Sequence, residues 1–358
     1  MTEARWLKYN FKFRFSAGTS RGILTGKTSY FIILKDTQNK LGVGECGPLK
    51  GLSPDDRPDI ETTLMELCGR IITEPPPDPD QLGSYLDHLV PADWPSLRMG
   101  LETAWRDLLN GGSRIIFRNN FINGHEIPIN GLIWMGNRSF MLEQINRKIR
   151  EGFRCIKMKI GAIDFQTEVE ILKYIKESFQ DRDVTVRVDA NGAFSYEEAL
   201  QKLEVLSRLD LHSIEQPIRP GQPDKLAGLC RNMQIPIALD EELIRITSLN
   251  EKQQLLESIK PAYIILKPTL LGGFIKTREW IKLAENQGIG WWITSALESD
   301  IGLNAIAQFT FDFELTREQG LGTGQLYVNN IPSPLYVKNG FLGYDGNRSW
   351  DLSCLGID

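Results

Sequence analysis

The sequence predicts an α/β protein: a (β/α)8-type barrel, TIM-like but modified, that follows an N-terminal α+β capping domain. From Ile127 onward, short apolar runs alternate with longer amphipathic stretches, and five of the runs end in a charged residue at intervals of 25 to 30 residues. Such a rhythm is typical of repeated βα units in a parallel sheet. At 358 residues, the chain is longer than the chains that usually fold around a single hydrophobic core, so two domains are expected. We predict a capping domain at residues 1–115 and a barrel at residues 125–325, with a segment at about 330–358 packing back onto the capping domain.

The capping domain is predicted from two kinds of periodicity. Alternation of polar and apolar residues predicts strands at residues 6–15 and 30–34, and helical periodicity predicts helices at 56–72 and 96–110. The first helix should end at the proline-rich residues 75–79, because proline cannot continue a helix. The second should end at Gly111 and Gly112, which is a typical helix stop.

The barrel is predicted from eight apolar runs, the last of them weak. They lie at residues 127–135, 155–160, 185–190, 212–216, 235–240, 263–267, 290–295 and near Leu321. Amphipathic stretches between them predict helices at residues 165–179, 196–209, 250–259 and 274–286. Eight strands within about 200 residues indicate a closed barrel rather than an open doubly wound sheet.

Composition excludes several classes of function. The net charge of −5 and the pI near 5.5 provide no attraction to nucleic acid or to anionic lipid. No export signal and no membrane span is visible, so a soluble, cytoplasmic protein is expected. The five cysteines lack any CxxC pair and the three histidines have no ligand spacing, which argues against zinc and against a histidine-based triad.

The five charged residues at the ends of the runs are Lys159, Asp189, Glu215, Asp240 and Lys267. Active sites of such barrels form at the carboxyl ends of the strands, so these side chains should converge. Taken singly, each acid could be a solvated strand end or a helix cap. Taken together, three converging carboxylates would repel one another unless a divalent cation lay between them. Hard oxygen ligands without His or Cys indicate Mg²⁺ bound by Asp189, Glu215 and Asp240, with Mn²⁺ as a substitute.

Strand parity adds two more charged residues to the interior. Lys157 and Lys159 are two apart and therefore share one face of their strand, as do Arg187 and Asp189. The alternative is that the two lysines are simply exposed, but this is weakened because Ile156, Met158 and Ile160 occupy the other face of the strand, where they can pack against the helices. Arg187 is expected to point at the metal site.

A metal between two lysines suits the removal of a weakly acidic proton next to a carboxylate. The enediolate that results is unstable in water, and nearby positive charge stabilises it. The expected partner is therefore a small-molecule carboxylate substrate. A homo-oligomer is compatible with the sequence.

Several motifs resemble the enolase superfamily, and within it the muconate-lactonizing subgroup. They span nearly the whole chain and are Gly42-Val43-Gly44-Glu45, Pro48-Leu49, Asn130-Gly131-Leu132-Ile133-Trp134, Lys157-Met158-Lys159, Asp189-Ala190-Asn191-Gly192-Ala193-Phe194, Glu215-Gln216-Pro217, Asp240-Glu241, Lys267-Pro268 and Ser295-Ala296-Leu297-Glu298-Ser299.

The resemblance implies a dehydration of a hydroxycyclohexadiene carboxylate. Lys159 would take the ring proton and then assist departure of the hydroxyl on the same face, while Lys267 would stay cationic. The supporting or substrate-binding residues implied are Lys157, Arg187, Asn191, Ser295 and Ser299. Ser295 could instead simply end its strand, and Ser299 could cap the next helix. Residues 17–22 resemble a mobile capping loop, although a plain hairpin loop would have the same composition.

Three alternatives remain on the same scaffold. An N-succinylamino acid racemase would use Lys159 and Lys267 on opposite faces of its substrate, and a muconate cycloisomerase fits the surrounding residues less well. A dipeptide epimerase is disfavoured, because residues 321–325 lack the Asp-x-Asp pair that would bind a substrate ammonium. A non-catalytic binding module is disfavoured because no ligand or lysine is missing.

Overall fold

The computed structural model describes residues 1–19, 22–179 and 183–357. An antiparallel sheet opens the chain, with strand order β1-β2-β3. Its strands are β1 (Glu3–Thr19), β2 (Gly22–Lys35) and β3 (Leu41–Cys46). Three helices follow, α1 (Ile60–Thr73), α2 (Leu82–Leu89) and α3 (Pro95–Leu109). A side chain at Gly42 or Gly44 would collide with the backbone of α3, so these two glycines allow the helix to lie directly on β3.

A seven-stranded parallel sheet forms most of the barrel wall. Its strands pair in the order β11-β10-β9-β8-β7-β6-β5, so each strand lies beside its neighbour in sequence. They are β5 (Gly131–Ile133), β6 (Cys155–Lys159), β7 (Thr185–Asp189), β8 (Ser213–Glu215), β9 (Ile237–Leu239), β10 (Tyr263–Leu266) and β11 (Gly290–Ile293).

Helices connect these strands and cover the outside of the wall. They are α4 (Arg138–Arg150), α5 (Phe165–Ser178), α6 (Tyr196–Leu206), α7 (Pro223–Asn232), α8 (Leu249–Ile259), α9 (Pro268–Leu271), α10 (Gly273–Asn286) and α11 (Asp300–Thr310). Ile156 and Met158 of β6 are fully buried in one cluster with Ile171 and Ile175 of α5. The alternate residues of β6, Lys157 among them, thus face the barrel interior.

Two predicted strands differ from the structure. The run at 127–135 divides: Ile127–Pro128 forms β4, which leaves the barrel and pairs with a C-terminal strand, and only Gly131–Ile133 joins the parallel sheet. The weak eighth strand near Leu321 is reduced to two single bridges. Gln319 bridges Ile129, and Gly320 bridges Thr294. These bridges join the two edges of the sheet and close the barrel; we refer to them as the seam.

The C-terminal strands β12 (Leu335–Lys338) and β13 (Phe341–Tyr344) form a third sheet with β4. Farther along, Leu355 and Ile357 lie in one buried cluster with Phe11 and Phe31 of the N-terminal sheet. Across the part of the chain that the structure describes, no helix is both long and apolar enough to cross a membrane. The domain boundaries given above stay a prediction.

Candidate active site

The carboxyl ends of five neighbouring strands bring the five charged residues together. Lys159, Asp189 and Glu215 are the last residues of β6, β7 and β8, and they lie side by side in the strand register. Asp240 and Lys267 directly follow β9 and β10. Register therefore accounts for the convergence that the spacing predicted.

Two ammonium groups bridge the three carboxylates. Lys157 Nζ lies 3.0 Å from Asp189 Oδ2 and 2.6 Å from Glu215 Oε2. Lys267 pairs closely with Asp240 and lies 3.9 Å from Glu215 Oε1. Because Lys157 and all three acids are nearly excluded from solvent, these pairs are screened little by water.

Lys159 is held at the edge of this cluster. Its Nζ donates to Asp189 Oδ2 at 3.2 Å and to Asn191 Oδ1 at 2.5 Å. Asn191 has a φ of 45°, a left-handed conformation that asparagine tolerates better than most residues, and its backbone N–H donates to Asp189 Oδ1. Its side-chain amide also donates to Glu241. The turn after β7 thus fixes the position of the Lys159 amine.

The charges of the cluster are unevenly stabilised. Burial would raise the pKa of Asp189, but Lys157, Lys159 and Lys267 hold it well below its usual range. Burial and the adjacent Asp189 raise the pKa of Glu215. Burial would lower the pKa of Lys267, but Asp240 and Glu215 raise it, so Lys267 stays cationic.

The donor chemistry of the cluster fits a divalent cation, whereas the side-chain conformations do not form a ligand set. Within residues 1–19, 22–179 and 183–357, no group of three or more His, Cys, Asp or Glu side chains is arranged to hold a metal ion. Instead, the ammonium groups of Lys157 and Lys267 lie against the carboxylates. Three buried carboxylates that attract cationic groups offer the hard oxygen donors that Mg²⁺ and Mn²⁺ prefer.

Arg187 lies deeper in the barrel than Asp189, beside Lys157 in the strand register, and its guanidinium pairs with Glu318. Its guanidinium donates to the Glu318 carbonyl at 2.8 Å and stacks 4.1 Å from the Trp292 ring. Burial and the charge of Arg187 lower the pKa of His212, which directly precedes β8, to about 4. The expectation that Arg187 points at the metal site is therefore corrected. Arg187 lies beside Lys157 in the strand register, but Lys157 reaches the acids, whereas the Arg187 guanidinium is held by the Glu318 carbonyl and the Trp292 ring.

Of the two serines predicted near the substrate, only Ser295 lines the cavity at the barrel mouth. Its hydroxyl bonds to Glu298 and accepts from Thr323 Oγ1 at 2.7 Å. Ser299 is the N-cap of α11, is fully buried, and donates its hydroxyl to Glu45 Oε2 at 2.6 Å. The helix-cap interpretation of Ser299 thus matches its position.

A cavity of about 1630 Å³ opens above the cluster, between the barrel and the N-terminal sheet. Lys157, Lys159, Asp189, Asn191 and Lys267 line its floor. Its walls are lined by Phe15 and Lys27, which the sequence did not single out, and by Trp134, Leu297 and Thr323, which lie in segments named above but were given no role. An aromatic residue at the open end of a barrel would have been the only signal for Phe15, whose ring meets that of Trp134 edge to face at 6.1 Å. Of the predicted capping loop at 17–22, Ser20 and Arg21 lie outside the described residues.

Comparisons with known proteins agree with this architecture. The model of the family described as enolase C-terminal domain-like matches residues 141–346, more than half of the chain. An o-succinylbenzoate synthase from Desulfotalea psychrophila (strain LSv54 / DSM 12343) is 47% identical over 357 residues, which cover 92% of this chain and 96% of the relative.

Solved structures give the same result. The crystal structure of MenC from Desulfotalea psychrophila LSv54 has a TM-score of 0.83 at 43% identity and covers 95% of this chain and 99% of that chain. A muconate lactonizing enzyme from Pseudomonas putida has a TM-score of 0.77 at 19% identity, with 99% of this chain and 98% of that chain covered, a likeness that shows the fold alone. These findings confirm the predicted modified barrel with its N-terminal cap. The chain belongs to the enolase superfamily.

Proposed function

We propose that the chain is an o-succinylbenzoate synthase, a hydro-lyase of menaquinone biosynthesis. It would catalyse the Mg²⁺-dependent syn-dehydration of 2-succinyl-6-hydroxy-2,4-cyclohexadiene-1-carboxylate to 2-succinylbenzoate. The relative of that name covers nearly the whole chain at 47% identity. One observation carries the chemical part: Lys159 and Lys267 lie on opposite sides of one buried acid cluster, against Asp189 and Asp240 respectively.

Lys159 is proposed as the general base and then the general acid. It lines the cavity, and its side chain is 11% exposed, so a substrate can reach its amine. The amine would take the ring proton next to the carboxylate and afterwards give a proton to the departing hydroxyl. Since one amine serves both steps, the proton and the hydroxyl leave from the same face of the ring.

Lys267 is proposed to stabilise the negative charge that develops when the proton leaves. Its raised pKa keeps it protonated, and it lines the same cavity floor as Lys159. A fixed ammonium in a site with little water stabilises an enediolate more strongly than solvent would. A racemase would instead require Lys267 to exchange a proton, and its close pairing with Asp240 does not favour that role.

Membership of the superfamily implies a divalent metal ion. We propose Mg²⁺, with Mn²⁺ as a substitute, held by Asp189, Glu215 and Asp240. The ion would supply positive charge at the substrate carboxylate. Lys157 would keep its charge beside it: burial alone would lower the Lys157 pKa, but Asp189, Glu215 and Asp240 raise it.

The supporting residues have separate proposed tasks. Asn191 would orient the Lys159 amine, since it accepts from it at 2.5 Å. Ser295 would contact the substrate from the cavity wall. Arg187 and Ser299 would act from outside the cavity, Arg187 by packing beneath the cluster and Ser299 by capping α11. The partner is a small-molecule carboxylate, and we propose a cytoplasmic location.

The test is incubation with the cyclohexadiene substrate and Mg²⁺, followed by absorbance of the aromatic product. In parallel, an N-succinylamino acid is incubated in D₂O and exchange of its α-proton is followed by NMR. We expect rapid formation of the aromatic product. Exchange of the amino acid without any aromatic product would refute the dehydration and support the racemase.

A further inference from the structure

The segment Ser295–Ser299, here called the β11 loop, forms part of the cavity wall in a strained conformation. Leu297 lines the cavity and has a φ of 62°, in the left-handed region. A leucine disfavours this region because its Cβ crowds the following carbonyl oxygen. Such a conformation persists only where the surroundings hold it, and it often occurs at functional sites.

The carbonyl groups of the β11 loop are held by two side chains from outside it. Lys27 of β2 donates its Nζ to Ala296 O at 3.1 Å and to Leu297 O at 2.9 Å. Tyr327 donates its hydroxyl to the same Leu297 O at 2.5 Å. Both donors are buried, so water does not compete for these bonds.

The far end of the β11 loop is bound to Glu45 of β3. The Glu45 carboxylate accepts the backbone N–H and the hydroxyl of Ser299, at 2.9 Å and 2.6 Å, and the N–H of Gly302 at 3.1 Å. Ser29 of β2 donates to its other oxygen at 2.7 Å. Glu45 is 1% exposed, and both of its oxygens accept hydrogen bonds from within the protein.

The ammonium group of Lys27 has little space in which to move. A side chain at Gly47 would come within 2.6 Å of its Nζ, so the ammonium fills a tight space between the sheet and the loop. Burial lowers the pKa of Lys27, while Glu45 and Glu298 favour its charged form. A buried lysine that donates to two carbonyl groups of one loop holds that loop in its conformation.

We propose that Lys27 and Glu45 are positioning residues, through which the N-terminal sheet fixes the β11 loop against the cavity and so sets the affinity of the barrel for its substrate. The identity of that substrate rests on the proposed function. The proposal that Lys27 and Glu45 hold the β11 loop does not rest on it, because the loop, the two residues and their hydrogen bonds are present without any ligand.

The kinetic test compares Lys27→Met with Lys35→Met. Lys35 lies on the same strand, contacts neither the β11 loop nor the cavity, and undergoes the same chemical change. We expect Lys27→Met to raise KM for the cyclohexadiene substrate about 10-fold, since a left-handed leucine is disfavoured by roughly that factor, and to change kcat less than about 3-fold. Lys35→Met should change neither constant. An unchanged KM in Lys27→Met would overturn the proposal, as would a large loss of kcat alone, which would indicate a direct role in the chemistry.

A second comparison tests whether the effect passes through Leu297. Glycine adopts positive φ without strain. In Leu297→Gly, the conformation of the β11 loop should therefore depend less on the hydrogen bonds that hold its carbonyl groups. In the Leu297→Gly background, Lys27→Met should raise KM no more than about 3-fold. An equal rise in both backgrounds would overturn the proposal. If Lys27→Met fails to fold, Tyr327→Phe removes only the bond to Leu297 O and should still raise KM, by about 3-fold.

Hydrogen exchange of the substrate-free protein gives a readout that needs no activity. Glu45→Gln should speed exchange of the Ser299 and Gly302 amides about 10-fold, because one accepting oxygen is lost, and should leave the amides of α5 unchanged. Unchanged exchange at both amides would overturn the proposal that Glu45 holds the β11 loop in place. Faster exchange in a protein that fails to dehydrate the cyclohexadiene would refute only the proposed function.

Discussion

Lys157 should contribute more to stability than any exposed ion pair of similar length. Its Nζ lies 2.6 Å from Glu215 Oε2 and 3.0 Å from Asp189 Oδ2, in a site with little water. Replacing it by methionine keeps the length of the aliphatic chain and removes the charge. Asp189 would still pair with Lys159 at 3.2 Å, whereas Glu215 would retain only Lys267, at 3.9 Å. One carboxylate, rather than two, therefore loses its only close cationic partner.

Breaking one buried pair costs about 3–5 kcal/mol, and we expect Lys157→Met to lower the free energy of unfolding by that amount in the presence of a chelator. The matched control is Lys8→Met, which breaks a 2.7 Å pair with Glu61 in which each side chain is nearly half exposed. Because solvent screens this pair, its loss should be far smaller. Urea unfolding followed by tryptophan fluorescence measures both variants.

The loss should also depend on pH. Without Lys157, the pKa of Glu215 should rise further above the value of an unfolded glutamate, so its proton stabilises the folded state at low pH and is lost as pH rises. Burial and Asp189 already raise the pKa of Glu215 to about 8, so the destabilisation by Lys157→Met should accordingly be larger at pH 9 than at pH 5. A loss no greater than that of Lys8→Met, or one that shrinks as pH rises, would refute the reasoning.

Three further outcomes are expected. Lys159→Ala should lower kcat at least 10³-fold while leaving the urea midpoint and Mg²⁺ affinity nearly unchanged, and near-native turnover would contradict its role as the base. Treatment with EDTA should abolish activity and excess Mg²⁺ should restore it, so a chelator-resistant reaction would exclude the metal role. Burial raises the pKa of Asp55 to about 6 from its ordinary 3.8. Stability should therefore fall by about 3 kcal/mol between pH 3 and pH 7 through this group alone. Asp55→Asn should remove that fall, with the exposed Asp56→Asn as control for the loss of one charge. An unchanged pH dependence of urea unfolding in Asp55→Asn would contradict the prediction.

The sequence was sufficient to predict the convergence of the five charged residues, because one βα unit repeats and each charge ends a strand. Strand parity also predicted correctly that Lys157 faces the interior. Strand parity predicts the face on which a side chain lies, but not how deep in the barrel it lies. Arg187 shares a face with Asp189 and yet contacts Trp292 in the layer below the cluster. The sequence also could not distinguish Ser299 as a substrate contact from Ser299 as a helix cap, since its partner Glu45 is 254 residues away.

The run at 127–135 shows a different limit. Its apolar residues are compatible with a strand over the whole run. Ile127–Pro128, however, pairs with β13 and therefore belongs to a different sheet from the barrel wall. Local pattern predicts that a segment is extended, and pairing with distant residues decides in which sheet it lies. Lys27 was not predicted for the same reason, because its importance comes from two carbonyl groups about 270 residues later.

The seam has a consequence for the order in which the chain folds. Strands β5 to β11 pair with their neighbours in sequence, so each addition closes a loop of one βα unit. The bridge between Ile129 and Gln319 joins residues 190 apart, which requires the whole wall to exist first. During synthesis the barrel must therefore stand open along one edge until Gln319 and Gly320 leave the ribosome. We expect nascent chains that stop before Gln319 to expose the edges of β5 and β11, and to be the forms of this protein that chaperones bind.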